Sequence, residues 1–151
     1  MTFHLSRRTL LAGSLATAAM LPGVQPARAV IYEVKAGDNG HFWVTASIED
    51  TDVKAVIDTG ASQVVLSYED ADRINLHLRD SDFSVPVSTA NGMAKAAAVS
   101  LRRVDIGNIR VRDVEALVAP KGALTVTLIG MSFLSKLKGY KVSDGTLVLD
   151  N

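Results

Sequence analysis

The chain contains the stretch Val56-Ile57-Asp58-Thr59-Gly60-Ala61-Ser62, in which two apolar residues run directly into an acid, a small hydroxyl residue and a glycine. Apolar β-formers followed by Asp-Thr-Gly predict a buried strand that ends in a tight, hydrogen-bonded turn. A carboxylate at the end of a buried strand is unfavourable to desolvate unless it is paired or functional. Because Asp and Gly favour turns whatever their function, an ordinary turn is equally compatible with this tripeptide alone.

The composition is that of one globular domain. A chain of 151 residues with 48% apolar and 21% charged residues supports one packed core and argues against disorder. The lack of cysteine excludes a disulfide scaffold and thiol catalysis. The three histidines are not spaced like a ligand cluster, so neither a metal site nor a cofactor is expected. Few aromatic residues and no basic stripe argue against nucleic acid as a partner.

Residues 1–29 have the features of an export signal. Arg7 and Arg8 precede a modest apolar run, and Ala27-Arg28-Ala29 has the small-x-small pattern of a cleavage site. The paired arginines resemble a twin-arginine signal, although leucine replaces the usual phenylalanine and no lysine follows. We therefore expect residues 30–151 to form a periplasmic domain. The full chain has 16 basic and 16 acidic residues, and removal of residues 1–29 takes away three arginines and no acid, which leaves 13 basic and 16 acidic residues. Retention as a membrane anchor is the alternative, although the run of about 12 residues is shorter than a membrane-spanning helix.

The rest of the chain reads as a series of short strands. Alternating or continuous apolar runs predict them at 30–34, 41–48, 53–57, 64–66, 83–89, 93–101, 104–107, 109–119, 124–130, 140–142 and 147–149. Two short helices are predicted at 67–75, opened by the Ser67-x-x-Asp70 capping pair, and at 131–137. The pattern contains no βαβ alternation, so the sequence predicts an all-β domain with one or two short helices.

Asn91-Gly92 lies between two β-type runs and is a strong hairpin signal, because both residues tolerate positive φ. The tip is small and polar, and with its apolar neighbour it comprises Ser88, Thr89, Ala90, Asn91, Gly92 and Met93. One interpretation is a plain surface hairpin. The other is a mobile flap that closes over a cleft.

A hairpin that ends in Asp58-Thr59-Gly60-Ala61 is followed by the Asn91-Gly92 hairpin and then by Leu128-Ile129-Gly130, which leads into a helix. In this order, the motifs resemble the retropepsin-like aspartic proteases, most closely their bacterial single-domain branch. The matching stretches are Gly40-His41-Phe42, Asp58-Thr59-Gly60-Ala61, Val87-Ser88-Thr89-Ala90-Asn91-Gly92 and Leu128-Ile129-Gly130-Met131-Ser132-Phe133-Leu134. The resemblance covers roughly residues 35 to 149. Many relatives carry a membrane helix at the front end, where this chain has an export signal.

The resemblance implies a single-lobe acid protease barrel and a role for each matching residue. Asp58 would be catalytic, and Thr59 would brace it against a second copy of the chain. Gly60 and Ala61 would complete the active-site loop, with Ile129 and Gly130 packed behind it. The flap, residues 88–93, would close over an extended peptide substrate held by strand-like hydrogen bonds.

The chain has one Asp-Thr-Gly, whereas aspartic proteases need two carboxylates that share one proton. One carboxylate activates a water and the other, protonated, polarises the scissile carbonyl. Asp144-Gly145-Thr146 has the wrong order to be a second copy. A two-fold homodimer that supplies Asp58 twice is the economical solution.

The sequence thus predicts an exported aspartic endopeptidase in which water is activated between two copies of Asp58. One alternative is a catalytically inactive module with the same fold that binds peptides or dimerises. Another is a binder of small molecules or lipids in the β-cleft, which only the apolar content favours.

Overall fold

A computed structural model describes residues 29–89 and 92–151. Within these ranges the chain forms ten strands and two short α-helices. The strands are β1 Ile31–Lys35, β2 Phe42–Ile48, β3 Thr51–Ile57, β4 Val64–Leu66, β5 Phe83–Thr89, β6 Gly92–Ile106, β7 Ile109–Val118, β8 Thr127–Ile129, β9 Gly139–Ser143 and β10 Thr146–Asp150. The helices are α1 Tyr68–Arg73 and α2 Met131–Leu134, and a 3-10 turn spans Asp80–Asp82. The prediction of an all-β domain with short helices is confirmed.

Two parts of the sequence interpretation lie outside the described residues: the export signal, except for Ala29, and the flap positions Ala90 and Asn91. In the part of the chain that is described, no helix is long and apolar enough to cross a membrane.

Six strands close into a barrel. They follow one another in the order β2-β3-β8-β4-β7-β6, and three further residue pairs join β6 back to β2. Side chains alternate between core and solvent along β2: Val44, Ala46 and Ile48 are buried in the core, whereas Trp43 and Thr45 are exposed. Strand β5 pairs with the first part of β6, residues 92–97, outside this ring. We call this pair of strands the flap hairpin, after the flap that the sequence predicts there.

The first described strand and the last two form a separate, terminal sheet of three antiparallel strands in the order β1-β10-β9. Leu147 and Leu149 of its central strand face the core and are buried. Three large apolar side chains of this sheet remain exposed: Ile31, Tyr140 and Val142.

Most elements lie within one or two residues of their predicted bounds, and three differ by more. Strand β6 runs without a break through Arg102 and Arg103, where the sequence indicated two strands, because its pairing with β7 extends from Ala97 to Ile106. Helix α2 ends three residues early, since Leu137 donates to the carbonyl of Leu134 in a tighter turn. Strand β8 is shorter than the apolar run 124–130, because β3 pairs with it only from Thr127 to Ile129 and Gly130 already caps α2.

The barrel places the ends of β3 and β8 side by side. These two strands run parallel, with Ala55, Val56 and Ile57 opposite Thr127, Leu128 and Ile129. Asp58 therefore emerges from the sheet next to Gly130. Asp58 and Gly130 are far apart in the sequence and are brought together by the pairing of β3 with β8 in the barrel. The fold therefore positions the candidate site.

Candidate active site

Asp58 follows β3 directly and is held by three hydrogen bonds. Its amide donates to the carbonyl of Ile129 at 3.0 Å, and its own carbonyl accepts from the Ala61 amide at 3.2 Å. Its carboxylate oxygen Oδ1 accepts from the Gly60 amide at 2.8 Å. The predicted tight turn after the buried strand is thus confirmed, and the turn leaves the acid half-buried.

The Asp58 loop, residues 58–63, is supported from behind by the start of α2. The Met131 amide donates to the Ala61 carbonyl at 2.9 Å. A Cβ at Gly130 would lie 2.1 Å from the Gln63 carbonyl oxygen and 2.6 Å from that of Ala61. Only glycine fits between α2 and the Asp58 loop, because any side chain would displace two backbone carbonyls.

Sequence reasoning missed one residue of this support, Ser132. Its Oγ accepts a hydrogen bond from the Val64 amide at 2.9 Å, where β4 begins. Serine in the first turn of a short helix carries no distinctive signal, so only the contact across the fold identifies it.

Asp58 lies in a cleft of about 960 Å³. The Asp58 loop forms one wall, and the flap hairpin contributes another. Among the lining residues Asp58 is the only one with a charged side chain. The lining consists of Asp58, Gly60, Ala61, Ser62, Gln63, Val65, Val87, Ser88, Thr89, Met93, Ala94, Ala96, Leu117, Ala119, Pro120, Gly122, Ala123, Leu124 and Leu128.

The cleft brings six of the predicted site residues together: Asp58, Gly60, Ala61, Ser88, Thr89 and Met93. Ile129 and Gly130 lie behind the Asp58 loop, buried, where the sequence analysis placed them. Thr59 and Gly92 are exposed and do not line the cleft. Ala90 and Asn91 lie outside the described residues.

The flap hairpin pairs as its sequence predicts. Strands β5 and β6 match Ser88 with Met93 and Thr89 with Gly92. The Thr89 hydroxyl donates to the Gly92 carbonyl at 2.7 Å, and Gly92 has a φ of 105°, which favours glycine. The Met93 side chain is 73% exposed although it lines the cleft.

A third wall was not expected from the sequence. It consists of the end of β7 and the loop that follows, residues 119–124, with Leu117 and Leu124 as its larger side chains. Pro120 and Gly122 predict a turn here, but not that this turn faces Asp58. The residues of this wall are small or apolar, so the wall is suited to contact with uncharged groups of a ligand.

In residues 29–89 and 92–151, no group of three or more His, Cys, Asp or Glu side chains is arranged to hold a metal ion. Asp58 is the only residue with a charged side chain among those that line the cleft, so acid–base chemistry in the cleft would start from its carboxylate.

Residues 44–136 match the family model described as "gag-polyprotein putative aspartyl protease". Similar curated relatives include an uncharacterized Sinorhizobium sp. protein from the cobV 5' region, 44% identical over 128 residues that cover 79% of this chain and 55% of that protein. Another, from Rickettsia prowazekii (strain Madrid E), is uncharacterized and 34% identical over 116 residues, which cover 77% of this chain and 49% of that one. The chain thus spans about half the length of the curated relatives it matches.

Solved structures share the fold. A retropepsin-like aspartic protease from Rickettsia conorii superposes with a TM-score of 0.71 at 30% identity, over 82% of this chain and 92% of that one. EIAV protease, complexed with the inhibitor HBY-793, superposes with a TM-score of 0.50 over 68% of this chain and 93% of that one. At 23% identity, the second match shows the fold alone.

The closed barrel of six strands with two short helices agrees with these matches. The predicted fold is confirmed, and the chain belongs to the retropepsin-like aspartic protease family.

Proposed function

We propose that this protein is an aspartic endopeptidase that hydrolyses peptide bonds with a water activated between two Asp58 carboxylates. The observation that carries the proposal is the position of Asp58, a half-buried carboxylate in a 960 Å³ cleft whose other walls are a flap hairpin and a small, apolar loop. The family of the chain supports the same reaction class.

The reaction needs two carboxylates, and each chain supplies one Asp-Thr-Gly. Facing carboxylates share one proton, because two like charges at short distance do not both ionise. The ionised carboxylate takes a proton from the water as it attacks the scissile carbonyl, and the protonated one donates a hydrogen bond to the carbonyl oxygen. The active species is therefore a homodimer in which the two Asp58 loops meet at the two-fold axis.

Two observations on the single chain support association. Thr59, which the family resemblance assigns to a brace between the two copies, is exposed. The terminal sheet leaves Ile31, Tyr140 and Val142 exposed, with relative exposures of 43%, 39% and 58%. Apolar side chains on a short sheet with open edges favour contact with another chain.

For localisation, we propose that residues 1–29 direct export to the periplasm, with Arg7 and Arg8 as the twin-arginine-like element. Cell fractionation of the full chain and of Arg7→Lys/Arg8→Lys tests this. Cytoplasmic retention of the double variant supports a twin-arginine route. Export of both supports the general route, and membrane-bound full-length chain supports an uncleaved anchor.

Digestion of a peptide library by the purified protein, with and without pepstatin, tests the activity. We expect pepstatin-sensitive cleavage that Asp58→Asn removes, whereas the control Asp113→Asn, at an exposed aspartate on β7, retains it. The Asp58→Asn variant keeps a side-chain acceptor for the Gly60 amide, so the loop should persist. Unchanged cleavage by Asp58→Asn contradicts the mechanism, and peptide binding without cleavage by the wild type favours the inactive binding module.

A further inference from the structure

A buried polar cluster lies where β8 begins and takes no part in the chemistry proposed above. Ser67 and Thr127 are buried, with relative exposures of 3% and 0%. The side chain of Asp70 beside them is 13% exposed. Burying a carboxylate among apolar strands is unfavourable unless its oxygens are bonded, so its partners indicate its purpose.

Both carboxylate oxygens of Asp70 are bonded. Oδ2 accepts from the Thr127 hydroxyl at 2.7 Å and from the Ser67 hydroxyl at 2.9 Å. Oδ1 accepts from the Arg73 guanidinium at 2.9 Å. Ser67, Asp70, Arg73 and Thr127 form what we call the Asp70 network.

The network joins three strands to α1. The Ser67 amide, at the end of β4, donates to Thr127 Oγ1 at 3.3 Å on β8. Arg73 extends the network to β3 by donating to the carbonyl of Asp52 at 2.9 Å. Asp70 itself lies in the first turn of α1, where its amide donates to Oγ of the capping residue Ser67 at 3.1 Å.

Strand β8 needs such a fixing point because its own ladder is short. It has three residues and pairs with β4 at one position only, Val65 opposite Leu128. At its end, the Ile129 carbonyl accepts the Asp58 amide, and Gly130 has no room for a side chain. A slip of β8 by one residue would drive Ile129 or Met131 into the Asp58 loop.

From this arrangement we infer that the hydrogen bond between Thr127 and Asp70 is a positioning device for Asp58. By fixing the start of β8, it fixes the Ile129 carbonyl and Gly130, and through them the Asp58 loop. Thr127 and Asp70 touch no substrate; they are positioning residues. The effect on catalysis rests on the proposed function, but the effect on the loop does not.

The test compares Thr127→Val, which keeps the shape and the β-branch but removes the hydroxyl, with Thr127→Ser, which keeps the hydroxyl. Asp70→Asn changes the other partner of the same hydrogen bond, because it replaces the carboxylate with an amide, which is a weaker acceptor. The control is Asp82→Asn, at a carboxylate that caps its own 3-10 turn by accepting from the Arg79 amide at 2.8 Å. All variants are made in the full chain.

The first readout is residue-resolved amide hydrogen exchange at Asp58 and Met131, whose amides donate to Ile129 and Ala61. We expect these two amides to exchange at least tenfold faster in Thr127→Val and in Asp70→Asn than in the wild type. Core amides such as that of Val44 should keep their protection, because the opening is local. Thr127→Ser and Asp82→Asn should behave as wild type. Equal acceleration of all amides overturns the inference, because the network would then stabilise only the whole fold.

The second readout is peptidase kinetics. Misplacement of a catalytic group by a fraction of an ångström lowers the rate constant of the chemical step more than it lowers substrate affinity. We therefore expect Thr127→Val to lower kcat about tenfold or more and to change KM by no more than about twofold. Restoration of kcat by Thr127→Ser supports positioning, and a kcat unaffected by Thr127→Val overturns it. If the wild type cleaves nothing, the proposed function fails, and the exchange experiment alone decides the inference.

Discussion

The amide of Asp58 donates a hydrogen bond to the carbonyl of Ile129 at 3.0 Å, and this contact joins the end of β3 to the end of β8. It makes the position of the acid depend on a strand far away in the sequence. The residue after Ile129, Gly130, lies against the carbonyls of Ala61 and Gln63. The geometry of the Asp58 loop is therefore sensitive to changes that never touch Asp58 itself.

Gly130→Ala should destabilise the protein and remove activity. The added Cβ would lie 2.1 Å from the Gln63 carbonyl oxygen, so the Asp58 loop must shift, at about 1–3 kcal/mol or more of unfolding free energy. Urea unfolding measures the loss. The matched control is Gly139→Ala, because nothing lies within 4 Å of a Cβ at that position and its φ is not positive. Equal stability of the two variants would show that the close contact at Gly130 relaxes easily.

Mixing chains tests whether Asp58 works in pairs. When wild type and Asp58→Asn are refolded together in equal amounts, only about a quarter of random dimers contain two carboxylates. At constant total chain concentration we expect about a quarter of the wild-type rate. Mixing with Asp113→Asn should leave the rate unchanged. A rate near one half would mean that each chain acts alone, contrary to the shared pair of carboxylates.

Thr59→Val should weaken association without weakening the fold of the single chain. Thr59 is exposed, so removal of its hydroxyl should change the free energy of unfolding by no more than about 0.5 kcal/mol. If the hydroxyl bonds to the partner copy, its loss should raise the dissociation constant about tenfold. Sedimentation equilibrium measures this constant. Thr45→Val, at another exposed threonine, on β2, is the control, and identical constants for the two variants would exclude the brace.

Met93→Ala should raise KM and leave stability nearly unchanged. The side chain is 73% exposed and lines the cleft, so its apolar surface is available to a substrate under the flap. We expect KM to rise about five- to tenfold, as for the loss of one buried apolar contact, with the midpoint of thermal unfolding unchanged. Lys95→Ala, on the same strand but not in the cleft lining, is the control. Loss of kcat rather than affinity would place Met93 in flap closure instead.

Local features could be predicted from the residues because their causes are local. Ser67 begins α1 as a capping pair predicts, since its hydroxyl and the Asp70 amide lie three residues apart. The hairpin that pairs Thr89 with Gly92 and the one around Asp144-Gly145 contain residues with positive φ: Gly92, Asp144 and Gly145. The continuous β6 and the short β8 could not be predicted, because their extent depends on pairing with β7 and with β3, respectively.

By itself, the sequence determined the turn at Asp58, the order of short strands and the supply of one Asp-Thr-Gly per chain, because these depend on conformational preferences over a few residues. The tertiary structure decided what surrounds that turn. Ile129 meets Asp58, the loop after β7 faces the flap, and Asp70 meets Thr127 only because parallel and antiparallel strands close one barrel. Such contacts arise from packing between distant segments, and no local pattern encodes them.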